Sequence, residues 1–152
     1  MNITRYTSAH RQACIDIFES NQPRYFAEEE KPGFVQWLDD YTDENPYFVV
    51  KENDEVVACG GIFLDGELNE AGLAWGMVRA SHHKQGYGKQ FTLYRLALLR
   101  ETWPGSVHKI ETSQHTEGFY AKMGFRTVAI EKDGFAAGID KHIMHLSPKP
   151  SG

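Results

Sequence analysis

The sequence has only two cysteines among its 152 residues, Cys14 and Cys59. They lie far apart and each has apolar neighbours, so they read as buried free thiols and not as a disulfide framework or a zinc cluster. No metal is expected. Long apolar runs are also missing: none approaches the roughly 18 to 20 residues a membrane-spanning helix needs. Residues 1–11 lack the charged, apolar, then small-residue order of a signal peptide. Together these absences predict a cytoplasmic protein that neither crosses nor binds a membrane. Positive charge is in short supply, with sixteen Lys and Arg against twenty-one Asp and Glu for a net charge of −5. That balance argues against a general attraction to nucleic acid or anionic lipid. Internal repeats and low-complexity segments are absent too. What remains is ordinary globular composition, 41% hydrophobic, 12% aromatic and 24% charged, at a length that suits one domain.

Periodicity divides the chain into alternating elements. Residues 2–6 predict a strand, after which Ser8 caps a helix with Ala13, Cys14, Ile17 and Phe18 on one face. An irregular stretch with Pro23 and an acidic run leads through Pro32 and Gly33 into a second amphipathic helix carrying Phe34, Val35, Trp37 and Leu38. Residues 47–51 and 55–64 predict a hairpin, and residues 68–79 a further strand with Gly72 and Gly76 inside it, where a bulge or a close backbone approach is expected. A polar, glycine-bearing link opens a helix that ends near Trp103-Pro104-Gly105. Residues 107–112 follow as strand, 116–123 as a short helix, and 125–131 and 139–146 as two last strands. This order predicts one α/β domain over residues 1–147, with a mixed central sheet of about seven strands flanked by about four helices, and a frayed tail at 148–152.

The strand-to-helix junction holds the chemistry. After Met77-Val78 comes His83-Lys84-Gln85-Gly86-Tyr87-Gly88-Lys89, opening a helix. Glycines there let backbone N–H groups converge, and the helix N-terminus adds unpaired donors and the positive end of its dipole. The result is an anion site suited to a pyrophosphate, with Lys84 and Lys89 supplying local positive charge. The P-loop Gly-Lys-Ser/Thr and the three-glycine dinucleotide fingerprint are both absent.

Val78-Arg79-Ala80 followed by His83-Lys84-Gln85-Gly86-Tyr87-Gly88 resembles the acetyl-coenzyme A signature of the GNAT superfamily of N-acetyltransferases, Val-x-Pro then Q/R-x-x-G-x-G/A. Ala80 stands in the proline position and His83 in the Gln/Arg position. Downstream, Ser113 to Phe125 is similar to the family's N-x-x-A-x-x-F-Y-x-K-x-G-F, matching at Phe119-Tyr120, Lys122 and Gly124-Phe125, with Ser113 in the Asn slot and Thr116 in the Ala slot. The resemblance implies a GNAT-like fold and acetyl transfer from acetyl-CoA, a co-substrate, to a primary amine. It implies that the pyrophosphate rests on main-chain groups of His83, Lys84, Gly86, Tyr87, Gly88 and Lys89, and that the pantetheine arm pairs with main-chain groups of Met77 and Val78. Ser113, Phe119 and Tyr120 also fall on the cofactor side, with Tyr120 in the general-acid position.

The residue that deprotonates the amine is less legible. Glu70, Glu111 and His115 are the candidates, with His115 ordinarily titrating in the useful range. In a GNAT fold the acceptor lies against the first two helices and their connection, which here contribute Tyr25, Phe26, Glu28, Glu29, Glu30, Phe34 and Trp37. Of these, Tyr25, Phe26 and Trp37 are the expected substrate contacts. Aromatic faces attract an ammonium and acidic side chains steer one. A small-molecule amine is the expected acceptor; a protein amine, and a non-catalytic module that only binds acetyl-CoA, are the alternatives. Monomer and homodimer both stay open.

Overall fold

A computed structural model describes residues 1–146; the tail expected to fray, 148–152, lies outside the described residues. Seven strands form one sheet: β1 (Asn2–Arg5), β2 (Tyr47–Glu52), β3 (Glu55–Asp65), β4 (Glu70–Val78), β5 (Val107–Thr112), β6 (Phe125–Ala136) and β7 (Ile139–Leu146), in the order β1-β2-β3-β4-β5-β7-β6. Four α-helices accompany it among the described residues: α1 (Arg11–Ser20), α2 (Lys31–Asp40), α3 (Tyr87–Thr102) and α4 (Glu117–Ala121). The element order agrees with the sequence reading. Local boundaries differ where capping decides them: Ser8 opens a short 3-10 turn, the backbone N–H of Thr7 donates to His10 Nδ1 at 3.0 Å, and the α-helix begins only at Arg11.

β2 and β3 are joined by Asn53 and Asp54, both at positive φ (51° and 64°), the condition of the hairpin turn that matches strand twist. The middle of β3, Val56 through Ile62, is buried throughout, because helices cover both sheet faces. On one face α1 and α2 bring Cys14, Ile17, Phe18, Phe34 and Leu38 against Tyr47, Val49, Cys59 and Met77. The thiols of Cys14 and Cys59 meet there, and that hydrogen bond together with burial pushes the Cys14 thiol far above its ordinary pKa, so the pair acts as small hydrophobic groups. On the other face α3 lays Phe91 over Val50, Val57 and Ala58, and Leu96 and Leu99 over Ile62, Leu73, Ile110 and Met144. No helix among the described residues is long and apolar enough to cross a membrane.

The functional geometry arises where the sheet fails to close. β4 and β5 are the one parallel pair among the described residues, and they pair only through Glu70, Ala71 and Gly72 with Val107, His108 and Lys109. Beyond Gly72 the strands splay. Gly72 permits the last close contact: a Cβ on it would sit 2.3 Å from the Lys109 carbonyl oxygen. Further along, β4 carries an extra residue against β3, since Cys59 pairs with Met77 but Gly61 pairs with Ala74. The bulge places Trp75 at φ 45°. Its carbonyl accepts a 2.7 Å hydrogen bond from Tyr47 Oη, and its indole packs among Phe18, Phe26 and Phe34, so the irregularity is held from both ends.

Candidate active site

The splay opens a cavity of about 650 Å³. One wall is the β4 edge from Leu73 to Val78, which has lost its strand partner; the facing wall is the end of β5 with Thr112 and Ser113. An unpaired β4 edge offers main-chain donors and acceptors to an extended guest, as an added strand would use them.

The strand-to-helix loop closes one end. Lys84 (φ 66°) and Gly86 (φ 87°) both take left-handed backbone, and Gly86 caps α3, leaving the N–H groups of Tyr87, Gly88 and Lys89 without intrahelical acceptors. Gly88 is uncrowded: an added Cβ would be 3.8 Å from Phe119 and Val78, ordinary contact distances. The protein itself therefore gives no packing reason for glycine at this point in the helix, whereas close approach of a ligand to the backbone does. Lys84 and Gly88 line the cavity. The Tyr87 hydroxyl instead donates to the Glu52 carboxylate, a bond that raises its pKa, so Tyr87 faces the site through its main chain. Gly86 and Lys89 lie on the same turn outside the cavity lining, with the Lys89 side chain exposed.

His83 turns inward. Its Nε2 donates to the Val78 carbonyl at 2.9 Å, as does Asn21 Nδ2 at 2.9 Å, so this carbonyl at the strand end already holds two donors. The His83 ring meets Tyr25 edge-on at 5.6 Å, and Tyr25 also meets His115 at 6.3 Å. Tyr25 thus joins the segment between α1 and α2 to both the loop and the start of α4. Phe26 and Trp37 line the same side of the cavity, and the Trp37 indole N–H is buried without a hydrogen-bond partner among the described residues. Phe34 is fully buried in the α1–α2 core.

Opposite them stands Tyr120, 8% exposed, with its ring fixed edge-on by Phe119 at 5.0 Å and Phe125 at 5.9 Å. Its hydroxyl makes no hydrogen bond to a described residue while the side chain lines the cavity. Ser113 is buried and structural in its contacts: its Oγ accepts from the His115 N–H at 3.2 Å, and its carbonyl accepts from the Thr116 and Glu117 N–H groups that begin α4.

The carboxylates separate by environment. Glu70 is not part of the cavity lining; its oxygens lie 3.4 Å from Lys109 Nζ and 3.9 Å from His145 Nε2. Glu111 lines the cavity but is flanked by Lys109 at 3.6 Å and Lys141 at 3.9 Å. Glu30 differs from both. It lines the cavity, has no lysine or arginine of the described residues within ion-pair distance, and accepts the Ala27 N–H at 2.8 Å. Burial is the main cause that raises its pKa, with Glu29 adding to it and the Ala27 hydrogen bond and the charge of Lys141 opposing. The sequence concealed it, since three consecutive glutamates look like a solvated run; the one usable signal is its position three residues after Ala27, where a glutamate folds back onto a helix start. Arg95, buried in α3 and lining the cavity, had no sequence signal at all.

No curated protein matches the chain in sequence. Solved structures share its fold. A protein from Desulfovibrio desulfuricans assigned to the GNAT acetyltransferases superposes with a TM-score of 0.79 at 21% identity, over 96% of this chain and 98% of its own. The ribosomal-protein-S18-alanine N-acetyltransferase of Escherichia coli gives 0.77 at 17% identity, over 99% and 96%. An aminoglycoside 6'-N-acetyltransferase in complex with coenzyme A gives 0.74 at 15%, over 99% and 100%. At these identities the likeness speaks for the fold alone. The sequence model of the acetyltransferase (GNAT) family matches residues 13–125, a span that runs from α1 through the splayed strands to the start of β6, and the chain belongs to that family.

Proposed function

We propose that this chain transfers the acetyl group of acetyl-CoA to the primary amine of a small molecule held between Tyr25, Phe26, Trp37 and the β4 bulge. One observation carries the reading: a single cavity joins an open helix N-terminus, an unpaired strand edge and a buried tyrosine whose hydroxyl is free. The N–H groups of Tyr87, Gly88 and Lys89, with Lys84 beside them, hold the pyrophosphate. The β4 edge holds the amides of the pantetheine arm. Since the Val78 carbonyl is already engaged by Asn21 and His83, Met77 and the remaining Val78 main chain take more of that pairing.

Three proton transfers complete the chemistry. Glu30 accepts a proton from the incoming ammonium, freeing the lone pair that forms the C–N bond. As the C–S bond breaks, Tyr120 gives its phenolic proton to the departing sulfur, and the tyrosinate takes back the second proton that the nitrogen sheds as it becomes the amide. A carboxyl raised by burial suits the first role, because its basicity lies closer to neutral pH; Glu70 lies outside the cavity lining, and Glu111 is engaged by Lys109 and Lys141. The rate is expected to rise with pH through the raised Glu30 pKa, where the carboxylate form appears. Glu30→Gln should remove that ascending limb and lower turnover by about 100-fold near neutral pH. Glu70→Gln and Glu111→Gln should keep the limb, and its loss in either one instead would transfer the role.

Gly88→Ala separates cofactor binding from folding. A helix gains up to about 1 kcal/mol from alanine over glycine at an interior site, and the added methyl finds no clash, so Tm should hold or rise. Coenzyme A affinity should fall by about tenfold or more as the methyl blocks backbone approach to the phosphates. Equal affinity for both proteins by calorimetry would move the pyrophosphate elsewhere.

The activity itself is tested by incubating the protein with acetyl-CoA and a panel of amines and following release of free thiol. Thiol release with a small amine is the expected result. Release only with a peptide or protein amine would shift the acceptor class, and cofactor binding without release for any acceptor would leave a binding module.

A further inference from the structure

α3 presents a cation to the sheet where an apolar side chain is the ordinary choice. Arg95 is 2% exposed, and its guanidinium lies against two glycines side by side on β3 and β4. A Cβ on Gly76 would be 2.4 Å from Nη2 and 2.7 Å from Nη1, and one on Gly60 would be 3.0 Å from Cζ. The space for this guanidinium therefore depends on both positions lacking a side chain. Compensation for the buried charge is thin. Nη1 donates to the Gly61 carbonyl at 3.4 Å, the Phe91 ring centroid lies 5.0 Å from Cζ, and Nε is buried without a partner among the described residues. No carboxylate of the described residues lies within ion-pair distance of it. A buried guanidinium normally has a carboxylate partner, because desolvating it alone is expensive.

Arg95 lines the active-site cavity, beneath the bulge at Trp75 and Gly76. It is not placed to serve the pyrophosphate: at about 1.5 Å of rise per residue it lies about 10 Å along α3 from Gly88. Of the charged groups that line the same cavity, Lys109 and Glu111 offset one another at 3.6 Å, and Glu30 lies beyond ion-pair distance of Arg95. The unmet charge is thus positive, buried and open to whatever occupies the cavity.

We infer that Arg95 forms the floor of a carboxylate subsite, so that one of the two reactants carries a carboxylate that pairs with it through the guanidinium fork. This rests on reading the cavity as the acyl-transfer site. Two reactants can bring such a group: an acyl donor whose chain ends in a carboxylate, or an acceptor that is an amino acid.

The test compares wild type with Arg95→Met in two arms. The donor arm sets acetyl-CoA against malonyl-CoA and succinyl-CoA with one amine. The acceptor arm sets phenylalanine against phenethylamine, and lysine against cadaverine, with acetyl-CoA. Thiol release gives kcat/KM, and calorimetry gives coenzyme A affinity. In wild type the carboxylate-bearing member of one arm is expected to be favoured by about tenfold or more. Arg95→Met should abolish that preference while coenzyme A still binds. The arm in which preference appears identifies the reactant that carries the group. Should the variant fail to fold, the wild-type comparison still decides. Absence of any carboxylate preference in both arms, with coenzyme A bound and thiol released, overturns the subsite and leaves acetyl transfer standing. Failure to bind coenzyme A at all overturns the underlying reading instead.

Discussion

Tyr120→Phe is expected to lower turnover by about 100- to 1000-fold while leaving acetyl-CoA affinity within about twofold. The substitution deletes one oxygen and keeps the ring. Phe119 and Phe125 hold that ring edge-on from two sides, so the phenylalanine has the same seat. The lost hydroxyl takes with it no hydrogen bond to a described residue, and Tm should stay within about 1 °C. All of the effect should then fall on the step in which sulfur leaves. A thiolate departing without a proton donor must be carried as an anion in a partly buried cavity, a penalty a phenylalanine cannot relieve. Steady-state kinetics beside calorimetric binding separates the two quantities. Unchanged turnover would remove Tyr120 from the reaction, and equal losses of binding and turnover would make it a packing residue.

Gly72→Ala should be among the most damaging small substitutions in the sheet, beside Gly61→Ala, whose methyl would stand 2.2 Å from the Pro46 carbonyl oxygen. The methyl of Gly72→Ala would stand 2.3 Å from the Lys109 carbonyl oxygen and 2.8 Å from the Phe63 ring, and the first of these is backbone that cannot rotate away. The strands must part at the last rung before they splay. A loss of about 2–4 kcal/mol is expected, or about 5–15 °C in Tm for a domain of this size. Gly66→Ala and Gly105→Ala are the controls, because nothing lies within 4 Å of a Cβ at either position; both should stay within about 0.5 kcal/mol of wild type. A Gly72→Ala protein that melts with its controls would mean that β4 and β5 are free to separate. The apex of the cavity would then be adjustable and not fixed.

Much of this architecture was legible before any coordinates, for identifiable reasons. Strands β5 and β7 appear at the expected residues, 107–112 and 139–146, because their turn residues and apolar patterning agree. β6 runs to Ala136 and not to residue 131, since residues 126–134 are exposed on both faces, leaving no hydrophobic period to read. The glycine loop and the Phe119-Tyr120 pair were visible as motifs, and both line the cavity in part. Glu30 and Arg95 were not. Each owes its character to tertiary surroundings: Glu30 resembles its solvated neighbours until burial singles it out, and Arg95 occupies one position of an otherwise amphipathic helix. The glycines that accommodate Arg95 are far from it in sequence, so only the folded sheet brings them together.

The shared carbonyl of Val78 binds the two halves of the site into one thermodynamic unit. Asn21 at the end of α1 and His83 in the strand-to-helix loop donate to the same oxygen, and the Ala80 N–H donates to Ser20 Oγ at 3.0 Å. Whatever shifts one donor on the loop side changes the hydrogen bonding of α1, and the acceptor side responds through Tyr25. Linkage then requires reciprocity: if the first ligand alters affinity for the second by some factor, the second alters affinity for the first by that same factor. Each reactant is therefore expected to change the affinity of the other by one common factor through a single main-chain oxygen, whichever of them binds first.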